Sequence, residues 1–220
     1  HQAMTPQVVL IVPAGGIGTR FKSDKPKQFF ELDSQSILEK TLAICKKLSF
    51  SQVIVTAPKQ HVKLTKEICS KIHAPCPIHV ILGGQFRAQS VKNAFEHIQT
   101  PCDRVLIHDA VRPYASKDLY DRVLTQLNQS EAVIPVMHVT ETIKEVRDKK
   151  VIRTIPRDTL VSVQTPQGFH YNALENAYKE TTLSSSITDE SMLMEKNQTE
   201  VITVHGESEN IKITVIQDLS

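Results

Sequence analysis

Val8-Val9-Leu10-Ile11-Val12 is a run of five apolar residues, four of them β-branched, followed at once by Pro-Ala-Gly-Gly-Ile-Gly. A run with no polar alternation reads as a strand buried on both faces, which needs helices above and below a sheet. The glycines therefore fall where a central strand ends, the usual place for a ligand in an open α/β sheet.

The next stretches alternate in the same way. Ser36 and Glu39 have capping-box spacing, and Leu38, Leu42, Cys45 and Leu48 predict a helix over about 36–48. Gln52 to Ala57 reads as a second strand, 60–72 as a helix, and His79 to Leu82 as a third strand. Val91, Ala94, Phe95 and Ile98 mark another helix, Arg104 to His108 a fourth strand, and Tyr120, Val123, Leu124 and Leu127 a further helix. This βαβα order predicts an α/β fold: a mostly parallel sheet covered on both faces, within a single domain spanning 5–220.

The rhythm breaks at 139–160, VTETIKEVRDKKVIRTIPRDTL. Two stretches of partial alternation flank Arg147-Asp148-Lys149-Lys150, predicting a β-hairpin arm. An isolated two-stranded ribbon is marginal in water. Such an arm is covered either by a second copy of the chain or by its own domain.

Composition excludes several classes. A net charge of +2 does not suggest a nucleic-acid surface. No apolar run approaches the roughly 20 residues of a membrane span, and HQAMTPQ lacks the regions of a signal peptide. Cys45, Cys69, Cys76 and Cys102 are widely spaced and read as reduced thiols, so a cytoplasmic location is expected.

The glycine loop fits neither of two common phosphate motifs. From Gly16 and Gly18, the third glycine of G-x-G-x-x-G would fall on Phe21, and Arg20-Phe21 occupy the Gly-Lys positions of a P-loop. A purely structural turn is the plain alternative. The nearby Arg20, Lys22, Lys25 and Lys27 favour a phosphate cradle, with bare backbone amides approaching an anion that the cations neutralise. Gly83-Gly84-Gln85-Phe86-Arg87-Ala88-Gln89-Ser90 supplies similar chemistry after the third strand, and His108-Asp109-Ala110-Val111-Arg112-Pro113 after the fourth. Asp109 suits either magnesium, which takes few carboxylates and completes its shell with water and phosphate, or a helix N-cap. His108 points to the opposite side of its strand from Asp109 and reads as structural.

Taken in order, PAGGIGTR with Pro26-Lys27-Gln28, GG-x-x-R-x-x-SV at 83–91, HDAVRP at 108–113, Thr142-Ile143-Lys144, QTPQGF at 164–169, Thr188-Asp189-Glu190 and Asn210-Ile211-Lys212 resemble the 2-C-methyl-D-erythritol 4-phosphate cytidylyltransferase family. The resemblance runs from about 8 to 218. It implies a Rossmann-like, nucleotidyltransferase-type fold and an enzyme joining CTP to methylerythritol phosphate with release of pyrophosphate. It also implies that Ala14, Gly15, Gly16 and Gly18 surround CTP, with Gly84, Gln85, Arg87 and Ser90 at the base and ribose. Arg20, Lys27 and Lys212 would be the catalytic cations, and Asp109 the ligand of Mg2+ or another divalent cation. Arg112, Thr142, Arg157, Thr165 and Thr188 would hold the acceptor, with the arm crossing to the partner of a homodimer so that Thr142 and Arg157 complete the neighbouring site. Ala14-Gly15-Gly16 also resembles ribitol 5-phosphate cytidylyltransferases, whose acceptor is likewise a polyol phosphate. Sugar-phosphate nucleotidyltransferases share G-x-G-T-R…P-K, but nothing about them predicts HDAVRP, QTPQ and NIK in this order.

Elementary chemistry suits that resemblance. A phosphate monoester, with its second pKa near 6, is mostly ionised at neutral pH and needs no general base. The obstacle is bringing two anions together, so positioning and charge neutralisation should dominate.

Overall fold

The computed structural model describes residues 5–15 and 25–214. Its strands are β1 (Val8–Pro13), β2 (Glu31–Leu32), β3 (Gln35–Ser36), β4 (Gln52–Ala57), β5 (Ile78–Leu82) and β6 (Arg104–Ile107). They continue as β7 (Ala132–His138), β8 (Ile143–Arg147), β9 (Lys150–Ile155), β10 (Val161–Val163), β11 (Gln167–His170) and β12 (Ile202–His205). The helices are α1 (Ile37–Leu42), α2 (Val62–Ser70), α3 (Arg87–Glu96), α4 (Lys117–Gln126), α5 (Tyr171–Glu180) and α6 (Glu190–Lys196).

The main sheet runs β5-β4-β1-β6-β11-β7, with β10 and β12 also pairing with β7. β1 is parallel to β4 and β6, and β4 to β5, whereas β11 runs antiparallel to β6 and β7. From β1 the chain moves outward on one side through β4 to β5, then returns to place β6 on the other side of β1. The reversal makes a crevice at the carboxyl ends of β1 and β6, the switch point at which open α/β sheets take their ligands.

Period-two alternation sorts the apolar residues into two cores. Val8, Leu10 and Val12 face a layer containing Leu38, Leu42, Ile68, Tyr120 and Val123 of α1, α2 and α4. Val9 and Ile11 face Val91, Ala94, Leu174, Leu193 and Met194 of α3, α5 and α6. Burial on both faces is thus the reason the β1 run carries no polar residue. A Cβ on Gly168 of β11 would lie 2.7 Å from Leu127 and 2.8 Å from Val123, so glycine there permits the close approach of the segment carrying α4.

Some boundaries differ from the sequence reading. The expected helix over 36–48 is α-helical only to Leu42 and continues as a 3-10 turn, Ala43–Lys46. The apolar residues Leu42, Cys45 and Leu48 recur every third position, the period of a 3-10 helix. Ser36 does cap α1, its hydroxyl accepting the Glu39 amide at 3.1 Å.

Strands β8 and β9 form their own two-stranded sheet, turning at Asp148 and Lys149, both at positive φ. Val146, Val151 and Ile152 on it are at least half exposed.

Candidate active site

The crevice between β1 and β6 is a cavity whose wall includes Ala14 and Gly15 after β1, Lys27 and Gln28, and the segment from Gly84 to Arg87 with Ser90. Asp109 and Lys212 complete it. Nine residues singled out in the sequence therefore meet around one space: Ala14, Gly15, Lys27, Gly84, Gln85, Arg87, Ser90, Asp109 and Lys212. Gly16, Gly18 and Arg20 lie outside the described residues.

Local hydrogen bonds fix each wall. Ala14 donates its amide to Thr56 and its carbonyl accepts the buried Gln28 Nε2 at 2.6 Å, so the glycine loop is anchored where it leaves the sheet. A Cβ on Gly84 would sit 2.6 Å from Gln89, and the Gly84 amide donates to Ser90 Oγ at 2.9 Å. The tight entry into α3 thus requires a glycine, and the Ser90 hydroxyl is engaged in shaping it. Gly15 differs, because an added Cβ would meet only Ser90 Oγ at an ordinary 3.6 Å. Neighbouring atoms do not require glycine there, so the missing side chain serves chiefly to leave backbone exposed to the cavity.

Asp109 is the electrostatic centre. Its Oδ2 accepts Arg112 Nε at 2.9 Å and lies 4.0 Å from Lys212 Nζ, while Oδ1 lies 3.4 Å from Arg87 Nη2. Burial opposes ionisation, but Arg87, Lys212 and Arg112 outweigh it and hold the carboxyl well below the usual carboxylate range. Arg87 is shared with Glu190, whose two oxygens receive Nη1 at 2.9 and 3.3 Å. The N-cap reading of Asp109 is excluded: the next helix, α4, is capped by Ser116, whose hydroxyl accepts the Leu119 amide.

Behind Asp109 the hydrogen bonds fix the His108 tautomer. His108 Nε2 lies 3.0 Å from the Arg112 carbonyl, which can only accept, so Nε2 carries the proton. Burial pushes the imidazole pKa down to about 4 and keeps it neutral. Nδ1 then accepts the Thr165 hydroxyl at 2.8 Å, and the same oxygen accepts the Asp109 amide at 3.0 Å. His108 is structural, in agreement with its direction along the strand.

The other expected residues lie elsewhere. Arg112 and Thr165 are buried against Asp109 and do not line the cavity. Thr188 lines a separate depression with Val163, Asp189 and Met192. Thr142 and Arg157 flank the β8–β9 arm, exposed, with Arg157 Nη1 donating to the Thr140 carbonyl at 2.7 Å.

Three supporting residues have roles that the sequence alone does not show. Gln164 Oε1 accepts the Glu207 amide and Asn210 Nδ2, and its Nε2 donates to the Glu207 carbonyl, stapling the loop that leads to Lys212. Asn210 also donates to the Thr165 carbonyl and receives Arg112 Nη1 at 2.7 Å. Glu190 carries the clearest missed signal, a carboxylate on the helical face that also buries Leu193 and Met194.

The fold and crevice are those of an α/β nucleotidyltransferase. The sequence model of 2-C-methyl-D-erythritol 4-phosphate cytidylyltransferase matches residues 8–220, and the chain belongs to that family. The enzyme of that name from Syntrophus aciditrophicus is 32% identical over 220 residues, covering 98% of this chain and 94% of the relative. That from Alkaliphilus metalliredigens is 35% identical over 221 residues, covering 99% and 92%. The crystal structure of the Francisella tularensis enzyme superposes with a TM-score of 0.82 at 31% identity, covering 97% of this chain and 96% of that one. The 4-diphosphocytidyl-2C-methyl-D-erythritol synthase of Anaerococcus prevotii gives 0.81 at 28%, covering 97% and 95%. These relatives do not favour the ribitol phosphate alternative.

Proposed function

We propose that this chain joins CTP to 2-C-methyl-D-erythritol 4-phosphate, giving 4-diphosphocytidyl-2-C-methyl-D-erythritol and pyrophosphate in the non-mevalonate route to isoprenoids. The observation that carries the reading is the single cavity at the β1/β6 switch point, to which five segments of the chain bring backbone amides, two lysines, an arginine and a carboxylate. An acceptor phosphate oxygen bonds to the α-phosphorus of CTP while the bond from that phosphorus to the bridging oxygen breaks, and pyrophosphate leaves. The attacking phosphate is already ionised, so no side chain need remove a proton.

Ala14, Gly15, Gly84, Gln85 and Ser90 hold the nucleotide, with exposed backbone groups telling cytosine from uracil. Lys27 and Lys212, with Arg20, neutralise the phosphates and the charge that develops on transfer. Asp109 fits a divalent cation: it borders the cavity and Oδ1 has only a long contact with Arg87. A site with one carboxylate suits magnesium, which keeps waters and takes phosphate oxygens. When bound, the ion would neutralise triphosphate charge. We read Arg112 and Thr165 as holding Asp109 in place, and Thr188, Thr142 and Arg157 as acceptor residues. The exposed apolar arm supports a homodimer in which Thr142 and Arg157 serve the partner's site. Among the described residues no helix is long and apolar enough to cross a membrane, and all four cysteines are free thiols, which supports a cytoplasmic location.

The test is pyrophosphate release with magnesium, each of the four nucleoside triphosphates, and methylerythritol phosphate, ribitol 5-phosphate or a hexose 1-phosphate. Turnover is expected with CTP and methylerythritol phosphate. Preference for another pair overturns the reading.

A further inference from the structure

Glu190 is fully buried at the start of α6, and its charge is not needed to fill space. Burying a carboxylate is costly unless it is paired, and here burial raises its pKa even against the attraction of Arg87. A residue kept at that cost directly behind Arg87, which lines the cavity, needs a reason beyond packing.

The geometry around Arg87 offers one. Arg87 Nη1 reaches both Glu190 oxygens at 2.9 and 3.3 Å, whereas Nη2 stands 3.4 Å from Asp109 Oδ1. The guanidinium is therefore held on the Glu190 side. Asp109 Oδ2 is already taken by Arg112 at 2.9 Å, so Oδ1 is the oxygen left to offer to the cavity. Without the Glu190 charge Arg87 would close on Oδ1, and both oxygens would be occupied by arginines. Three cations, Arg87, Arg112 and Lys212, now face two carboxylates, Asp109 and Glu190, leaving one net positive charge; neutralising Glu190 leaves two.

We propose that Glu190 is a positioning residue for the divalent cation: by engaging Arg87 it holds the guanidinium off Asp109 Oδ1 and keeps that oxygen available. The inference rests on the reading of the cavity as a CTP site with a cation at Asp109. It makes a prediction in two opposite directions. Glu190→Gln keeps the shape and one acceptor for Arg87 but removes the charge. Cation binding should weaken by about ten- to a hundredfold, the usual effect of losing a partner behind a metal ligand. Metal-free CTP, an anion meeting a more positive site, should bind as well or more tightly. A merely structural defect would weaken both.

The experiment is titration of Mn2+ into the enzyme saturated with CTP and lacking acceptor, counting binding in excess of that by CTP alone, read by the electron paramagnetic resonance of free Mn2+, beside calorimetric titration of CTP in EDTA. Wild type, Asp109→Asn, Glu190→Gln and Glu190→Asp are compared. The expected result is Mn2+ binding by wild type that Asp109→Asn abolishes and Glu190→Gln weakens without loss of CTP affinity. Glu190→Asp, which restores the charge, should recover part of it. Equal Mn2+ binding by wild type and Glu190→Gln, or equal weakening of both ligands, overturns the inference alone. Wild type lacking an Asp109-dependent Mn2+ site overturns the cation reading and the inference with it. Should Glu190→Gln not fold, Glu190→Asp decides: Mn2+ weakened several-fold with CTP unchanged supports the role, and an unchanged Mn2+ affinity contradicts it.

Discussion

The Thr165 hydroxyl accepts the backbone amide of Asp109 at 3.0 Å, joining the turn after β6 to the segment between β10 and β11. Because the same hydroxyl donates to His108 Nδ1, Thr165→Val, nearly isosteric, would leave two buried polar groups without a partner. We expect a loss of about 1–3 kcal/mol in urea unfolding, together with reduced turnover. Thr165→Ser should retain most of both. A Thr165→Val protein of unchanged stability with only a raised KM for the acceptor would instead make Thr165 a pure substrate contact.

His108 makes stability sensitive to acid. Its folded pKa of about 4 lies below the ordinary value of 6.5, so between those limits the unfolded chain binds a proton that the folded one refuses. The contribution is fully present above about pH 6.5 and is lost as pH falls toward 4, about 3 kcal/mol in all. The depressed pKa of Asp109 adds a further loss at lower pH, while Glu190, shifted upward, acts in the opposite sense. Denaturant melts in EDTA should show wild type losing stability on acidification faster than His108→Gln, by up to about 1.4 kcal/mol per pH unit in this window. Parallel profiles would contradict the assignment.

Lys27→Ala and Lys212→Ala should leave the thermal midpoint nearly unchanged, since neither belongs to the core clusters, yet lower kcat by roughly 10² to 10³. Arg20→Ala is expected to behave alike. Near-normal turnover in all three would remove charge neutralisation as the source of catalysis.

The two glycines at the cavity should respond differently. Gly15→Ala has room for its methyl among the protein atoms and should leave stability unchanged while raising the KM for CTP, because the methyl covers backbone that the nucleotide approaches. Gly84→Ala must displace Gln89 and should raise the KM by roughly tenfold or more and lower stability as well. Steady-state kinetics and thermal melts on the two variants check this difference.

A shared site predicts rescue by mixing. Lys27→Ala and Arg157→Ala homodimers should each be nearly inactive. Random exchange makes half the dimers mixed, each with one intact site of two, so activity should return to about a quarter of wild type. No recovery after verified subunit exchange would place Arg157 in its own chain's site or outside catalysis.

Sequence logic reached the amino-terminal half most fully, because β1, β4 and β6 are short apolar runs whose burial leaves little choice of conformation. Outside the β8–β9 arm it missed the strands after α4 for identifiable reasons. β7 contains Pro135, which ordinarily argues against a central strand. Here the proline falls opposite the break between β10 and β11, where register passes from Val136 with Val163 to Val133 with Gly168. β10 has three residues, all exposed, and β11 begins Gln-Gly. The candidate site was legible wherever a motif follows a strand. What was not legible is the support behind it, since the Gln164 staple and the Glu190–Arg87 pair join residues 43 and 103 positions apart.

The most direct test of the account follows an isotope. With methylerythritol phosphate carrying 18O in its phosphate, CTP and magnesium, 31P NMR should show two coupled resonances of a new diphosphate linkage bearing the label, and unlabelled pyrophosphate. Label in the pyrophosphate, or no coupled product, would contradict attack of the acceptor phosphate on the α-phosphorus of CTP.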